Sequence, residues 1–401
     1  MLDAVLNFLS NGLSGAGWVA MLVYVLVMTQ LTIFTVTLYL HRSQTHRGVD
    51  FHPALANFFR FWGWLTTGMV VKEWVAVHRK HHAKVETEED PHSPQIYGIK
   101  KVFWDGVSLY RDASYIKSDL EKYGRGTPDD WIERKLFGGH PYWGPTLMLL
   151  IDLALFGVIG AAIWAVQMIW IPFWAAGFVN GIGHWWGYRN FESADTATNL
   201  SPWGVWIGGE ELHNNHHAFP SSAKFALRKW EFDIGWTAIR GLAALRLAKV
   251  LRVAPTLDVR PNIAIPDGET LKALLAIRFQ AMTDFYRNVT LPTLREDASH
   301  AGDRVRALPR RLRKGLADGG RWLDDGARAR LQTWVAERPR MAQLADFRQR
   351  LAQVLDDRSH DAQATLQRLH AWCVEAEASG IHTLQAFSER LKGYALAPAR
   401  H

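Results

Sequence analysis

Long apolar runs alternate with short polar clusters over the first 250 or so residues, and the rest of the chain is charged throughout. Gly17 to Leu40 holds no charged residue. As a helix it would be about 36 Å long, enough to cross a bilayer core of about 30 Å. Ala54 to Val71 is shorter and interrupted by Arg60. Thr146 to Tyr188 carries no Lys or Arg across two span lengths. That predicts a hairpin of membrane helices at 146–166 and 169–189, turning near Gln167 to Pro172. Lys84 to Asp130 is polar, punctuated by Pro and Gly, and reads as a loop with short helices. Trp230 to Val250 reads as an amphipathic surface helix. Beyond Pro255, Leu344, Phe347, Leu351 and Leu355 recur at helical spacing, so residues 256–401 read as a basic tail of amphipathic helices.

The expected fold is therefore an all-α integral membrane protein. Residues 1–16 form an outward segment, and residues 17–255 form a membrane and cytoplasmic domain with a first span at 17–40. Charge sets this orientation: the first forty residues lack Lys and Arg, whereas Arg42, Arg47, Arg79 and Lys80 follow the first run. The net charge of +7 suits anionic lipid or an acidic protein partner. The basic run Arg304 to Lys314 comes with no nucleic-acid recognition motif and reads as a solvated or lipid-facing patch. The first run is too long for a secretory leader and no cleavage site follows it. The single cysteine, Cys373, excludes an intramolecular disulfide and a thiolate metal site.

Histidine supplies the chemistry. His41 and His46 stand five apart, His78, His81 and His82 form one HxxHH pattern, and His213, His216 and His217 form another. Offsets of three and four put side chains on one face of a helix, as does the offset of four between Asn180 and His184. His184 alone would read as a satisfied core residue; two HxxHH patterns in one chain read as ligands. His52 and His140 stand beside proline and read as exposed, His92 as locally structural, and the histidines beyond residue 290 as surface. Nine neutral nitrogen ligands exceed what one ion takes, so two metals are implied, and a thiol-free imidazole set suits iron that activates dioxygen. Glu73, Glu86, Asp90, Glu210 and Glu211 are candidates to orient the imidazoles. If the nine share one site, Ala54 to Val71 cannot span, because a crossing would part His46 from His78; it reads as interfacial or re-entrant.

The set HxxxxH, HxxHH, NxxxH and HxxHH, with Glu73-Trp74, the stretch Glu86 to His92 and the stretch Gly209 to Pro220, resembles the membrane-bound fatty acyl desaturases, in particular the stearoyl-CoA desaturase branch as bacteria carry it. The resemblance covers residues 17 to 250. It implies a di-iron centre held by His41, His46, His78, His81, His82, His184, His213, His216 and His217, with Asn180 binding through water. It implies oxygen-dependent formation of a cis double bond, by default at position nine, in unsaturated fatty acid biosynthesis. The substrate would be a long-chain acyl-CoA or an acyl chain on a phospholipid. The chain departs from animal relatives at Asn214 and Asn215, and it has no His-Pro-Gly-Gly haem motif. Electrons would come from a separate ferredoxin, rubredoxin or cytochrome b5-like protein with its reductase. The localisation implied is the bacterial inner membrane, with the site and C-terminus cytoplasmic.

An unactivated methylene offers no acidic proton, so the oxidant must be metal-bound and selectivity must come from a channel. Trp62, Trp64, Thr66, Thr67, Trp185 and Trp186 are candidates for its wall, with interface anchoring as the competing reading of the tryptophans. Two other functions compete. A di-iron hydroxylase of alkanes or lipids typically has an extra residue before its paired histidines, unlike His78-Arg-Lys-His81-His82. A non-enzymatic metal-binding membrane protein would carry ligands at bilayer depth.

Overall fold

The computed structural model describes residues 2–301, 308–356 and 361–397. It is predominantly helical, and residues 1–189 with 195–254 form one compact unit. Helix α1 (Leu2–Asn11) precedes α2 (Trp18–Phe34), which runs without a break into a π-wound segment, Thr35–Thr45. Together they make a 28-residue helix long and apolar enough to cross a membrane. After strand β1 (Val49–Phe51) come α3 (Pro53–Thr67) and α4 (Val71–Lys84). Helix α3 is about 22 Å long, short of a bilayer crossing. It runs back along α2, with Phe59 stacked on Tyr39 and Trp62 Nε1–H donating to Thr32 Oγ1. Gly68, at φ 66°, ends it, and α4 returns its histidines to the end of α2 that carries His41.

Short helices α5 (Pro94–Tyr97), α6 (Ile99–Ser114) and α7 (Lys117–Tyr123) lead to α8 (Trp143–Phe156) and α9 (Ile159–Ile171). Helix α9 continues through a second π-wound segment, Pro172–Gly181, and a final turn to His184, the other helix long and apolar enough to cross a membrane. The hairpin thus turns at Gly157 (φ 64°), not near Gln167 to Pro172, and its arms are 143–156 and 159–184 instead of 146–166 and 169–189. A side chain at Gly157 would strike the Leu9 carbonyl, so the turn requires glycine. Pro172 leaves the helix unbroken because it opens the π-wound segment, where its missing N–H falls at a change of ladder. Leu13 N–H to Ala154 O (2.8 Å) and Val158 N–H to Leu9 O (2.9 Å) tie α1 and the turn that leads into α2 to the α8–α9 turn. Both long helices therefore begin at one end and deliver histidines to the other.

Strand β2 (Trp203–Gly204), helix α10 (His213–Ala218), β3 (Phe232–Asp233), α11 (Ile234–Ala244) and β4 (Ala248–Val250) complete the unit. β1 pairs antiparallel with β4 and β2 parallel with β3. The single surface helix expected over Trp230 to Val250 is thus a strand, a helix and a strand: Asp233 caps α11 through Trp236 N–H, and Arg246 (φ 61°) turns the chain after it. A fully buried ion pair sits beneath. Arg42 makes two bonds of 3.0 Å to Asp233, two of 2.9 Å to the Ala223 and Gly208 carbonyls, and lies 3.8 Å over the Phe225 ring.

Residues 190–194 and 255–401 form a second compact unit. The amphipathic tail is a folded helical body with its own core, including Leu274, Phe285, Leu369 and Trp372, and Leu344, Phe347, Leu351 and Leu355 are buried along Pro339–Asp356. In it β5 (Leu257–Val259) pairs antiparallel with β6 (Tyr394–Leu396). Of the basic run, Arg304 and Arg306 lie outside the described residues, and Arg310–Gly315 is helical.

Removing one partner of a buried, fully hydrogen-bonded ion pair strands the other charge. Asp233→Ala should therefore lower unfolding free energy by about 3–5 kcal/mol, read as a reduced midpoint in detergent. A loss below about 1 kcal/mol, the value of a surface pair, would contradict this account of the Arg42 site.

Candidate metal centre

The nine histidines meet at the far end of the two long helices, in two groups. His41, His46, His78, His82 and His216 form one, and His81, His184, His213 and His217 the other, with the ligand atoms of each group all within 4.8 Å of one another. The five-residue spacing of His41 and His46 works because the helix is π-wound there: His46 N–H bonds to His41 O at 3.1 Å, five residues back. The two HxxHH patterns are shared crosswise. On α4 the four-spaced pair His78 and His82 joins the first group while His81 joins the second. On α10 the four-spaced pair His213 and His217 joins the second group while His216 joins the first. Each helix thus ties both groups together.

The nitrogens face one another. His41 Nε2 lies 3.0 Å from His216 Nε2, which lies 2.9 Å from His82 Nε2, itself 3.1 Å from His78 Nε2; His184 and His213 approach at 2.9 Å through the same atoms. Carboxylates on the outside fix the tautomer. Nδ1–H donates to Glu210 from His41 (2.8 Å), to Asp90 from His81 (2.9 Å), to Glu86 from His184 (3.0 Å) and to Asp195 from His217 (2.9 Å). Nε2 then carries an inward lone pair, and the buried Nε2 atoms of His46, His81 and His217 meet no hydrogen-bonding partner. One proton could bridge one such pair, but it could not serve them all. Two nitrogens each about 2.1 Å from an ion are about 3.0 Å apart when they bind it at a right angle, so a cation fits the spacing and satisfies the lone pairs. An all-imidazole set without thiolate suits iron.

Of the five carboxylates singled out in the sequence, Glu86, Asp90 and Glu210 accept these imidazole N–H groups. Glu73 and Glu211 do not: Glu73 lines a cavity, and Glu211 accepts the backbone N–H groups of Trp206, Ile207 and Gly209. Asp195 takes a role the sequence did not suggest, because a carboxylate in a loop carries no spacing signal. His92 is more than locally structural: it is buried, stacks on His81 at 4.4 Å, forms a third group with His81 and Asp90, and faces the cavity. His52 and His140 are exposed, as are His370 and His382; His360 and His401 lie outside the described residues, and the side chain of His300 is not described.

A cavity of about 510 Å³ reaches His41, His78 and His92, with Asn180 in its wall. Its lining is chiefly apolar, from α2, α4, α6 and the Pro172–Gly181 segment. Of the six expected wall residues only Thr67 lines it. Trp62 is held against α2. Trp64 is buried with Leu65, Phe137 and Met148 and donates to His140 O, and the Thr66 hydroxyl donates to Trp62 O. Trp185 and Trp186 are 53% and 69% exposed after the helix ends, which favours the anchoring reading. The α6 wall, with Val102, Gly106 and Tyr110, was hidden in what reads as a polar loop. Gly106 lets α6 close on Ala176, where a Cβ would come within 2.8 Å of the alanine methyl.

Burial, reinforced by neighbouring imidazoles, holds His78, His82, His213, His216 and His217 well below the ordinary histidine range. For His81 burial acts the same way, but Asp90 outweighs it and raises the value. The five lowered groups stay neutral in the metal-free fold, while the unfolded chain takes up protons below about pH 6.5. The unfolded state then binds more protons, so stability rises with pH and falls as pH drops through about 6.5. The midpoint of chelator-treated protein should decline over that window; a flat midpoint would contradict the burial of these imidazoles in neutral form.

Residues 16–240 match the family model described as fatty acid desaturase. The chain is 31% identical over 232 residues to a delta-9 acyl-lipid desaturase of Arabidopsis thaliana, an alignment covering 56% of this chain and 72% of that protein. It is 29% identical over 240 residues to the sn-1 stearoyl-lipid 9-desaturase of Anabaena variabilis, covering 58% and 84%. It is 31% identical over 223 residues to an acyl-CoA 5-desaturase of Anemone leveillei, covering 53% and 65%. With two groups of converging imidazoles beside an apolar cavity, the chain belongs to the fatty acid desaturase family and is an oxidoreductase of fatty acyl chains.

Proposed function

We propose that the two histidine groups hold one iron ion each, with Asn180 reaching the second through water, and that the enzyme desaturates a saturated long-chain acyl group with dioxygen. The observation that carries this reading is the convergence of inward Nε2 lone pairs at the wall of a cavity lined chiefly by apolar groups. Iron bound there would supply, with dioxygen, the oxidising power to take hydrogen from an unactivated methylene. Two hydrogens leave adjacent carbons; with two electrons and two protons from outside, dioxygen ends as two molecules of water. The chain's own residues do the rest. Glu86, Asp90, Asp195 and Glu210 hold the imidazoles in one tautomer and orientation, while Val102, Tyr110, Ile171 and Trp174 keep the cavity dry and present one stretch of chain.

The acyl group is carried on coenzyme A or in a membrane lipid, and position nine is the reading favoured by the names of the plant and cyanobacterial relatives. Electrons come from a separate carrier, a ferredoxin, rubredoxin or cytochrome b5-like protein. His46 and His82 are only half-buried, and beside them the Arg79 guanidinium bonds to the Gln44, Thr45, Tyr123 and Arg125 carbonyls and, among the described residues, to no carboxylate. That uncompensated charge suits an acidic carrier. The positive-inside rule places this end and the C-terminal unit in the cytoplasm, in a bacterial inner membrane.

Expression in a strain lacking its own desaturases should yield a cis-monounsaturated chain by mass spectrometry. A hydroxylated chain without an alkene would contradict the proposal and favour the hydroxylase. His81→Ala and His216→Ala should each abolish the product while the protein stays in the membrane; activity retained in either would count against ligation there.

A further inference from the structure

The wall of the cavity has exposed members at one place only among the described residues: Val107, Arg111 and Tyr115 on α6, with Gly138 and Tyr142 ahead of α8. This is the mouth, and its surroundings are unlike a water-facing surface. Val107, Arg111 and the capping Tyr115 follow one another at offsets of four, so they form one outer stripe of α6 beyond its kink at Asp105; Tyr115 is 66% exposed, and Trp104, just before the kink, 77%. The opposite face of α6 packs on the membrane helix, Gly106 against Ala176. Across the mouth, Tyr142 (69% exposed) and Trp143 stand at the start of the apolar helix α8, preceded by exposed Trp131 and Ile132. Exposed aromatics at the end of an apolar helix mark the level where a bilayer meets water.

Two polar groups are set into this mouth. Arg111 is the one Lys or Arg in the cavity wall, and its guanidinium has no ion-pair or hydrogen-bond partner among the described residues. Trp164 Nε1–H donates to Pro145 O at 2.9 Å on the antiparallel α8, and Gln167, one turn further along α9, lines the same cavity as Pro141 and Tyr142. Gln167 is 6% exposed and lines the cavity; the Tyr24 hydroxyl is close by, but neither amide atom makes a hydrogen bond of good geometry. A buried amide left so costs about 1–3 kcal/mol, and a saturated alkyl chain cannot satisfy it.

We propose that the cavity is filled sideways from the bilayer by an acyl chain still esterified in a phospholipid, with Arg111 on the lipid phosphate and Gln167 donating to the ester carbonyl. A guanidinium matches a phosphate, an amide N–H matches a carbonyl oxygen, and the aromatic rim matches lipid. Acyl-CoA would bring several phosphates to a mouth whose wall offers one cation among valine, tyrosine and glycine, with exposed tryptophans on either side. This inference rests on the desaturase reading and names the form in which the acyl group arrives.

The test uses iron-loaded enzyme in nanodiscs of deuterium-labelled distearoyl phosphatidylglycerol, with carbon-13-labelled stearoyl-CoA added in water and ferredoxin, its reductase and NADPH supplied. The alkene should appear in the deuterated pool. Arg111→Glu should raise the phospholipid mole fraction at half-maximal rate about tenfold, as for one lost charge-assisted hydrogen bond, with kcat unchanged; Arg111→Lys should recover most of it. Gln167→Leu should act in the same direction. An alkene confined to the carbon-13 pool, or half-saturation unmoved in Arg111→Glu, would overturn the inference and leave the desaturase standing. An alkene in neither pool would overturn both.

Discussion

Nine imidazoles converge from α4, α10 and the ends of the two long helices on two small buried volumes, and most of the first unit depends on making that arrangement tolerable. Lone pairs 2.9 to 3.1 Å apart repel unless something positive lies between them. Burial disfavours protons on His78, His82, His213, His216 and His217, which supports the proposal that the positive charge is metal. The outer carboxylates complete the logic: each takes an Nδ1–H, which keeps Nε2 free and turns the ring inward. The proposed metal binding would therefore be linked to folding, and the two groups stand or fall together because α4 and α10 each contribute to both.

The architecture follows from bringing those rings to one end. Two helices long enough to cross a membrane begin side by side, and their π-wound ends place His41 with His46 and carry Asn180 to the cavity wall. The α3–α4 pair turns back at Gly68 and never reaches crossing length, so His78, His81 and His82 return to the same level as His41. Arg42, one residue after His41, is locked to Asp233 and to carbonyls of the loops flanking α10. That buried pair fixes the last histidine cluster against the first.

The meeting of the nine histidines at one end was legible in the sequence because it rests on spacing and charge. An offset of three or four means a shared helix face, and the absence of Lys and Arg over 146–188 means membrane. Other features rest on contacts between distant residues and leave no periodic trace. Gly157 outcompeted Gln167 to Pro172 as the hairpin turn because the α1 loop packs against it, while Pro172 was absorbed by π-winding. The tryptophans nearest the histidines looked like channel wall, yet Trp64 serves a separate apolar cluster and Trp185 and Trp186 face outward. The true wall includes α6, whose small and apolar residues sit among charges in the sequence. The crosswise division of the HxxHH patterns could not be read from either alone, since offsets give a face but not which of the two groups each ring joins.

Anomalous X-ray scattering at the iron edge, on crystals of the purified holoenzyme, tests the central claim most directly. The account predicts two peaks, one among His41, His46, His78, His82 and His216, the other among His81, His184, His213 and His217. A single peak, or a peak at the His81, Asp90 and His92 group with neither of these filled, would contradict it.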